Sequence, residues 1–389
     1  MQLFVSGRKH VYTKLKKNIQ PSDQIIWLHA ASLGEYEQGL PVINKLKKLY
    51  PSYKFLVTFF SPSGYEVKKN STDADIITYL PLDTKQNVQR FLDITKPRLA
   101  IFVKYEFWPN YLSELQKRNI PTLLVSGIFR EKQAFFKWYG GYMRKALKAF
   151  NHFFIQEETS AQLLQSIHLT NYTVCGDTRF DRVLQILNRD NTLDFVKEFK
   201  QNTPCIVIGS SWPEDEALLI PYINNSTKNV KFIIAPHEIK THKIEAITSA
   251  LKKKTICYTE IEGKNLADYD VLIIDTIGLL TKVYSYADIA YVGGGMGTSG
   301  LHNTLEPAVF GIPVIIGKNY AKFNEAKLLV EKGGVVSINN QTELTTIFNT
   351  LLDTPSEQQR IGNINNNFLQ ANSKATESII AYINNSIKL

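Results

Sequence analysis

Short apolar runs alternate with helical patterns from one end of this 389-residue chain to the other, and no other feature restricts its fold so strongly. In the first half the runs fall at 25–30, 55–60, 76–80, 99–103, 122–126 and 152–155. In the second half they fall at 205–209, 231–235, 271–274, 289–292 and 313–316. Helical patterns lie between them, for example at 36–50, 86–95, 110–119, 241–253 and 321–332. Alternation of this kind builds parallel sheets covered by helices on both faces. Two series, each near the size of one doubly wound unit, predict an α/β chain of two Rossmann-like domains with parallel sheets facing a central cleft. The length agrees, because it exceeds what one ordinary hydrophobic core serves. Residues 188–192 are polar and strand-free, and Pro204 opens the next strand, so the domains are placed at 1–187 and 188–374. The tail, 375–389, carries Ile379, Ile380, Tyr382, Ile383 and Ile387 at helical spacing.

No apolar run is long enough to span a bilayer, and residues 1–20 lack the apolar stretch of a signal peptide. Residues 2–8 read as an entry into the middle of something longer. Cys175, Cys205 and Cys257 are widely spaced and sit in or beside strand runs, which fits buried, reduced thiols rather than a disulfide frame or a zinc site. The formal charge of +9 favours anionic partners. Nucleic acid, anionic lipid and phosphorylated small molecules all satisfy that condition.

Function in such folds gathers where strands end. Trp27-Leu-His-Ala-Ala-Ser-Leu-Gly-Glu35 runs from a strand into a turn that holds a carboxylate. Ser32 and Glu35 have capping-box spacing, so Glu35 either satisfies a backbone N–H or faces a ligand at the rim. Lys104-Tyr-Glu-Phe-Trp-Pro-Asn110 follows another strand end and offers Glu106 among aromatics. Burial there would disfavour its ionisation. Gly209-Ser-Ser-Trp-Pro-Glu-Asp-Glu216 repeats the design with a serine pair, Ser210 and Ser211, before a helix with acids in its first turn. His237 and His242 lie about 140° apart around a helix, which excludes a shared metal of the i, i+4 kind. No metal and no cofactor are expected.

Gly295-Met-Gly-Thr-Ser-Gly300 is a literal dinucleotide fingerprint, but the next strand ends in Ile316-Gly-Lys318, without the acid that a ribose requires. A nicotinamide cofactor is therefore rejected. What remains is a glycine-rich loop feeding a helix at Asn303-Thr-Leu-Glu-Pro307, where Asn303 or Thr304 suits an N-cap and Pro307 a first turn. Free N–H groups there would favour a phosphate, and Glu306 is either a first-turn acid or a ribose ligand. Finally, 128–150 interleave bases with aromatics. Phe135, Tyr139, Tyr142, Met143, Ala146 and Phe150 recur at helical spacing. Phe136 and Trp138 fall off that stripe beside Lys132, Lys137, Arg144 and Lys145. The segment is either an ordinary helix on its sheet or a face for a membrane interface or anionic amphiphile.

In order and spacing, these motifs resemble the Kdo transferases, bacterial enzymes that move 3-deoxy-D-manno-octulosonic acid (Kdo) from CMP-Kdo to the lipid A precursor. The series also includes Tyr79-Leu-Pro-Leu-Asp83, Gly176-Asp-Thr-Arg-Phe-Asp181, Asp275-Thr-Ile-Gly278, Tyr291-Val-Gly-Gly-Gly295, His302-Asn-Thr-Leu-Glu-Pro307 and Gly311-Ile-Pro-Val314. The resemblance implies a GT-B fold, with acceptor on the first domain, nucleotide sugar on the second, and a C-terminal helix returning to the first. It implies an inverting, metal-independent transfer with Glu35 as general base, Glu106 and Arg179 assisting the transition state, and no role for nucleic acid. It implies CMP contacts at Pro236 and His237, at Ile277, Gly278 and Leu279, and at Asn303, Thr304, Leu305 and Glu306. Helix N-termini near Ser210 and Ser211 would meet the departing phosphate, and the 128–150 segment would face lipid and phosphate.

The implied place of work is the cytoplasmic face of the bacterial inner membrane. Members of the family usually carry an N-terminal hydrophobic anchor. This chain lacks one, which implies truncation or peripheral attachment through surface patches. Several positions depart from the family pattern. Lys104 stands where Glu is frequent, Arg179 where Lys is, Pro236-His-Glu238 where Pro-Arg-His is, and Ile277-Gly-Leu279 where Met-Gly-Glu is. Leu279 accepts no hydrogen bond, so that contact must be lost or moved. A helix nucleated at Ser32 would bury Pro41 in its middle at a cost of about 3 kcal/mol. The expectation is therefore a kink or a later start, which favours the base over the cap at Glu35. The competing functions are another GT-B enzyme acting on a UDP-sugar, an epimerase included, and a non-catalytic protein that binds nucleotide or anionic lipid.

Overall fold

The computed structural model describes Phe4 and residues 7–389. Much of the 2–8 stretch, read above as an entry into a longer chain, lies outside the described residues. Two compact units are present: Met1–Arg182 with Asn372–Leu389, and Val183–Ala371.

The first unit holds seven parallel strands: β1 (Ile25–Ala30), β2 (Lys54–Phe59), β3 (Ile76–Tyr79), β4 (Leu99–Val103), β5 (Thr122–Gly127), β6 (His152–Ile155) and β7 (Tyr172–Val174). Their order is β3-β2-β1-β4-β5-β6-β7. Every residue of β1 is buried, as expected for a central parallel strand covered on both faces. Trp27 points into one apolar cluster, with Phe91, Phe102 and Tyr111. Ile26 and Leu28 point into the other, which the C-terminal helix Ala375–Ser386 completes with Ile379, Ile380 and Ile383. The register sets His29 of β1 directly opposite Thr58 of β2 and Phe102 of β4.

The second unit holds β8 (Cys205–Ser211), β9 (Lys231–Pro236), β10 (Thr255–Cys257), β11 (Val271–Ile273), β12 (Ile289–Val292), β13 (Val314–Gly317) and β14 (Val335–Ile338). Their order is β10-β11-β9-β8-β12-β13-β14, again all parallel. The α/β class and the two doubly wound sheets agree with the sequence. Three strands escaped it: β7, β10 and β14. Each is an edge strand of three or four residues. A strand with one neighbour and a half-exposed surface needs no continuous apolar run.

Each sheet carries a bulge at the end where its helices begin. In β8 the pairing with β9 shifts between Gly209 and Ser211, and Ser210 sits at φ 55°. In β5 it shifts between Leu124 and Gly127, with Ser126 at φ 50°. Bulges of this sort re-aim side chains at functional rims.

Two local expectations fail. The helix Leu33–Leu49 starts directly after its cap, Ser32, and keeps Pro41 inside. Pro41 leaves the Glu37 carbonyl without a helical donor. The next carbonyl, Gln38, accepts a hydrogen bond from Thr178 Oγ1 at 2.6 Å, which ties the helix beside the proline to the rest of the unit. The Pro41 argument against a cap at Glu35 therefore falls. Likewise, 128–150 do not form one helix. The segment breaks into a 3-10 turn, Ala134–Phe136, and a short helix, Gly141–Leu147. The chain folds back so tightly at Gly140 that a Cβ there would lie 1.8 Å from the Ala134 carbonyl oxygen. The stripe divides accordingly: Phe135 is buried, whereas Tyr139 and Tyr142 are exposed.

Candidate functional site

In the first unit the strand-end rim carries two carboxylates of different character. Glu35 caps its own helix: Oε2 accepts from the Ser32 N–H at 2.8 Å and from the Ser32 hydroxyl. Among the described residues Oε1 takes no hydrogen bond from the protein. A Cβ on the preceding Gly34 would meet nothing nearer than Ser32 Oγ at 3.9 Å, so packing does not require a glycine there.

Glu106, which follows β4, is buried. Its Oε2 receives the Trp108 indole N–H at 2.7 Å and lies 3.0 Å from His29 Nε2. His29 Nδ1 faces the Thr58 carbonyl at 3.0 Å and its hydroxyl at 2.9 Å, and Trp27 Nε1 donates to the same hydroxyl at 2.8 Å. The Thr58 hydroxyl can either donate to Nδ1 or accept from it, and Trp108 Nε1 also lies 3.1 Å from Nε2. A proton between Nε2 and Oε2 closes the 3.0 Å contact. Glu106 is thus a member of a closed, buried network.

Arg179 is held beside the same helix. Its Nε donates to Asp177 Oδ2 at 2.8 Å, and its backbone N–H to Asp177 Oδ1 at 2.9 Å. Buried Asp177 also accepts from Gln38 Nε2 at 2.9 Å. Gln38 lies about one helical turn beyond Glu35.

In the second unit the bulge at Ser210 brings three sequence motifs together. The cap of the helix Pro213–Asn225 is Trp212 rather than a serine. Ser211 Oγ donates to Glu216 at 2.8 Å, and its carbonyl accepts the His237 N–H at 3.0 Å. Burial pushes the Glu216 carboxyl above the ordinary range. Asp215, fully buried, collects four donors: the Tyr291 hydroxyl at 2.8 Å and the backbone N–H groups of Gly294 at 2.7 Å, Trp212 at 3.0 Å and Met296 at 3.4 Å. Gly293 N donates to the Gly209 carbonyl at 2.9 Å. The amides of Gly293, Gly294 and Met296 are therefore taken up within the protein, and the anion expected at the following helix N-terminus would have to be met by other amides. The glycines serve close backbone approach instead. A Cβ on Gly293 would lie 2.3 Å from the Ser210 carbonyl oxygen, and one on Gly295 2.9 Å from the Gly317 nitrogen.

Above this loop three rings cluster. Trp212 stacks on His237 at 4.4 Å and 21°, and His237 lies 4.5 Å from His302. Trp212 Nε1 donates to His302 Nε2 at 3.1 Å. Burial, and then the neighbouring His237, push His302 down to about 4. In the following turn Asn303 Oδ1 accepts the Leu305 N–H at 3.1 Å, and Thr304 Oγ1 is buried without a partner among the described residues. Glu306 accepts from Asn303 Nδ2 at 3.1 Å and from Thr281 at 3.4 Å, which ties this turn to the helix Leu280–Val283. Just before that helix, Ile277 is 92% exposed and Gly278 has φ 98°. The structure thus joins Ser211, Pro236 and His237 at one strand end and leaves Ile277 on an open loop.

The basic and aromatic segment sorts by exposure. Trp138 is 92% exposed, and Lys132 and Lys145 are exposed with it. Phe136 packs against the core cluster, and Arg144 donates to the carbonyls of Phe135 at 2.9 Å and Lys137 at 2.7 Å, so both serve the fold of the segment. A cavity of about 550 Å³, lined by Arg144, Lys145, Lys148 and His168, opens at the opposite edge of the sheet from the strand-end rim.

Sequence reasoning passed over His29, Thr58, Asp215 and the pairing of Trp212 with His302. His29 gave one signal, a polar residue inside a fully apolar strand. Asp215 gave none that separates it from Glu214 and Glu216.

Residues 6–182 match the family described as 3-deoxy-D-manno-octulosonic-acid transferase (kdotransferase). A 3-deoxy-D-manno-octulosonic acid transferase of Aquifex aeolicus is 31% identical over 349 residues, spanning 88% of this chain and 90% of that protein. The Haemophilus influenzae protein of the same name is 28% identical over 375 residues, 92% and 86% of the two chains. In structure the chain is similar to the UDP-GlcNAc 2-epimerase of Neisseria meningitidis, with a TM-score of 0.65 at 16% identity, covering 92% of this chain and 99% of that one. It is also similar to MurG of Acinetobacter baumannii, with a TM-score of 0.56 at 13% identity, covering 93% and 99%. At those identities the structural likenesses speak for a GT-B-like fold alone. The sequence relationship carries the assignment: the chain belongs to the family of 3-deoxy-D-manno-octulosonic acid (Kdo) transferases, which are glycosyltransferases.

Proposed function

We propose that this protein transfers Kdo from CMP-Kdo to a sugar hydroxyl of the lipid A precursor in lipopolysaccharide biosynthesis, with inversion and without a metal. The observation that carries this reading is the state of Glu35. One carboxylate oxygen is fixed by Ser32, while the other takes no hydrogen bond among the described residues. A fixed carboxylate at a strand-end rim suits a general base. The open space beside Gly34 suits an acceptor sugar. Glu35 takes the proton as the acceptor oxygen attacks the anomeric carbon of Kdo, and CMP leaves from the opposite face.

Glu106 and Arg179 would favour the transition state from the same unit. CMP would be held in the second unit by Ser210, Ser211, Pro236, His237, Ile277, Gly278, Leu279, Asn303, Thr304, Leu305 and Glu306. Trp138, with Lys132, Lys137 and Lys145, would meet an anionic membrane surface on the cytoplasmic face of the inner membrane, where the acceptor resides.

The test is transfer from CMP-Kdo to a tetra-acylated lipid A precursor, with and without EDTA, for the wild type and Glu35→Gln. Gln keeps the cap, because its side-chain oxygen still accepts from Ser32 N–H. It removes the base, so turnover should fall by about 10²–10⁴-fold with little change in stability. Near-normal turnover by the Gln variant would sink the base, and loss of wild-type activity in EDTA would sink metal independence.

A further inference from the structure

The indole N–H of Trp212 is a donor only, and it points at His302 Nε2 from 3.1 Å. Nε2 must therefore present its lone pair. A neutral imidazole so bonded carries its single proton on Nδ1, and among the described residues nothing accepts that N–H. The ring cannot turn freely to find a partner. His237 packs on it at 4.5 Å, Trp212 holds Nε2 at 3.1 Å, and the His302 backbone N–H is tied to the Gly293 carbonyl at 3.2 Å. A donor of defined direction is thus left without a protein partner among the described residues and open to solvent at the end of a parallel sheet, beside the bulge at Ser210, where ligands of such sheets bind.

We infer that the Nδ1–H of His302 donates a hydrogen bond to a phosphoryl oxygen of the nucleotide sugar, and that Trp212 is the positioning residue that fixes this tautomer. The inference rests on the proposal that the second unit binds CMP-Kdo. It adds two residues to that site and gives the departure at 236–238 a role. His237 need not supply the charge of an arginine; its ring packs against both Trp212 and His302.

Nitrogen-15 NMR of the histidine rings in the full-length protein reads the tautomer directly, and calorimetric titration with CMP and with cytidine reads its consequence. Wild type should show His302 protonated at Nδ1 and bare at Nε2, and Trp212→Phe should mix the tautomers. His302→Ala should weaken CMP about tenfold while leaving cytidine unchanged. His302→Asn, which keeps a donor near the Nδ1 position, should recover most of the loss, and His302→Gln should not. In transfer assays the Ala variant should raise KM for the donor more than it lowers kcat. A wild-type His302 protonated at Nε2 overturns the tautomer. Equal CMP affinity for wild type and His302→Ala overturns the role of His302 and leaves CMP as a ligand. Failure of the wild type to bind CMP overturns the donor reading itself.

Discussion

His29 Nε2 and Glu106 Oε2 lie 3.0 Å apart at the ends of neighbouring strands, 77 residues apart in sequence. Among the described residues their other hydrogen-bond partners are neutral, the Trp108 indole for Glu106 and Thr58 for His29. His29 is fully buried and Glu106 nearly so, and the Trp108 indole N–H closes the remaining approach.

Breaking this pair from one side should cost more than its net worth. His29→Phe keeps the ring volume but leaves the Glu106 carboxylate buried with only the Trp108 donor. The expected loss is about 3 kcal/mol in urea denaturation, because an uncompensated buried charge is the expensive outcome. The double variant His29→Phe with Glu106→Leu should recover at least half of it. A single variant as stable as wild type would mean that the two groups are not coupled.

The Pro41 helix yields a second expectation. Thr178→Val keeps the shape of the side chain but removes the hydroxyl that serves the Gln38 carbonyl and lies 2.7 Å from Ser126 Oγ. The Gln38 carbonyl keeps its place in the helical ladder, so what is lost is the net worth of the buried hydroxyl's hydrogen bonds, and a loss of about 1 kcal/mol is expected. Adding Pro41→Ala restores a donor to the Glu37 carbonyl and closes the helix, which then relies less on the Thr178 hydroxyl, so the penalty of the Val substitution should shrink. Equal penalties in both backgrounds would separate Thr178 from the proline.

Asp215→Asn tests whether the glycine loop is held by one carboxylate. The amide presents two hydrogens to a site whose four partners are all donors. A loss of about 2–4 kcal/mol is expected, together with faster hydrogen exchange at Gly294 and Met296. Glu214→Gln and Glu216→Gln should leave that exchange unchanged.

How much of this was legible beforehand differs from residue to residue. Central strands such as Ile25–Ala30 are buried on both faces, so their sequences must be apolar, and all of them could be read. Edge strands such as Tyr172–Val174 carry no such obligation and went unread. The glycines at 293–300 were visible, but their purpose was not. An anion site and a close backbone crossing demand the same residue, and the contacts of Gly293 with Ser210 and of Gly295 with Gly317 explain those two glycines by the crossing. Glu35 was read as either cap or base, and the structure displays the cap while leaving an oxygen open. The networks around His29 and Asp215 join residues tens of positions apart, through registers and bulges that no local pattern encodes.

His302 makes stability depend on pH with a defined sign. Folded, it takes up its proton near pH 4, held down by burial and by His237; unfolded, it does so near the ordinary 6.5. Between these values the unfolded chain binds more protons, so stability rises with pH. The contribution is complete above 6.5 and is lost as the pH falls to 4. The ring is only half-buried, so solvent screening reduces the effect to about 1 kcal/mol. His302→Asn removes this titration while keeping a polar group in place. The difference in unfolding free energy between wild type and variant, measured in urea from about pH 7 to about pH 4, should therefore shift by about 1 kcal/mol against the wild type on acidification. The carboxylates that dominate acid unfolding are common to both proteins and cancel in that difference. A difference that stays flat across the range would show that His302 ionises as freely in the folded protein as in the unfolded chain.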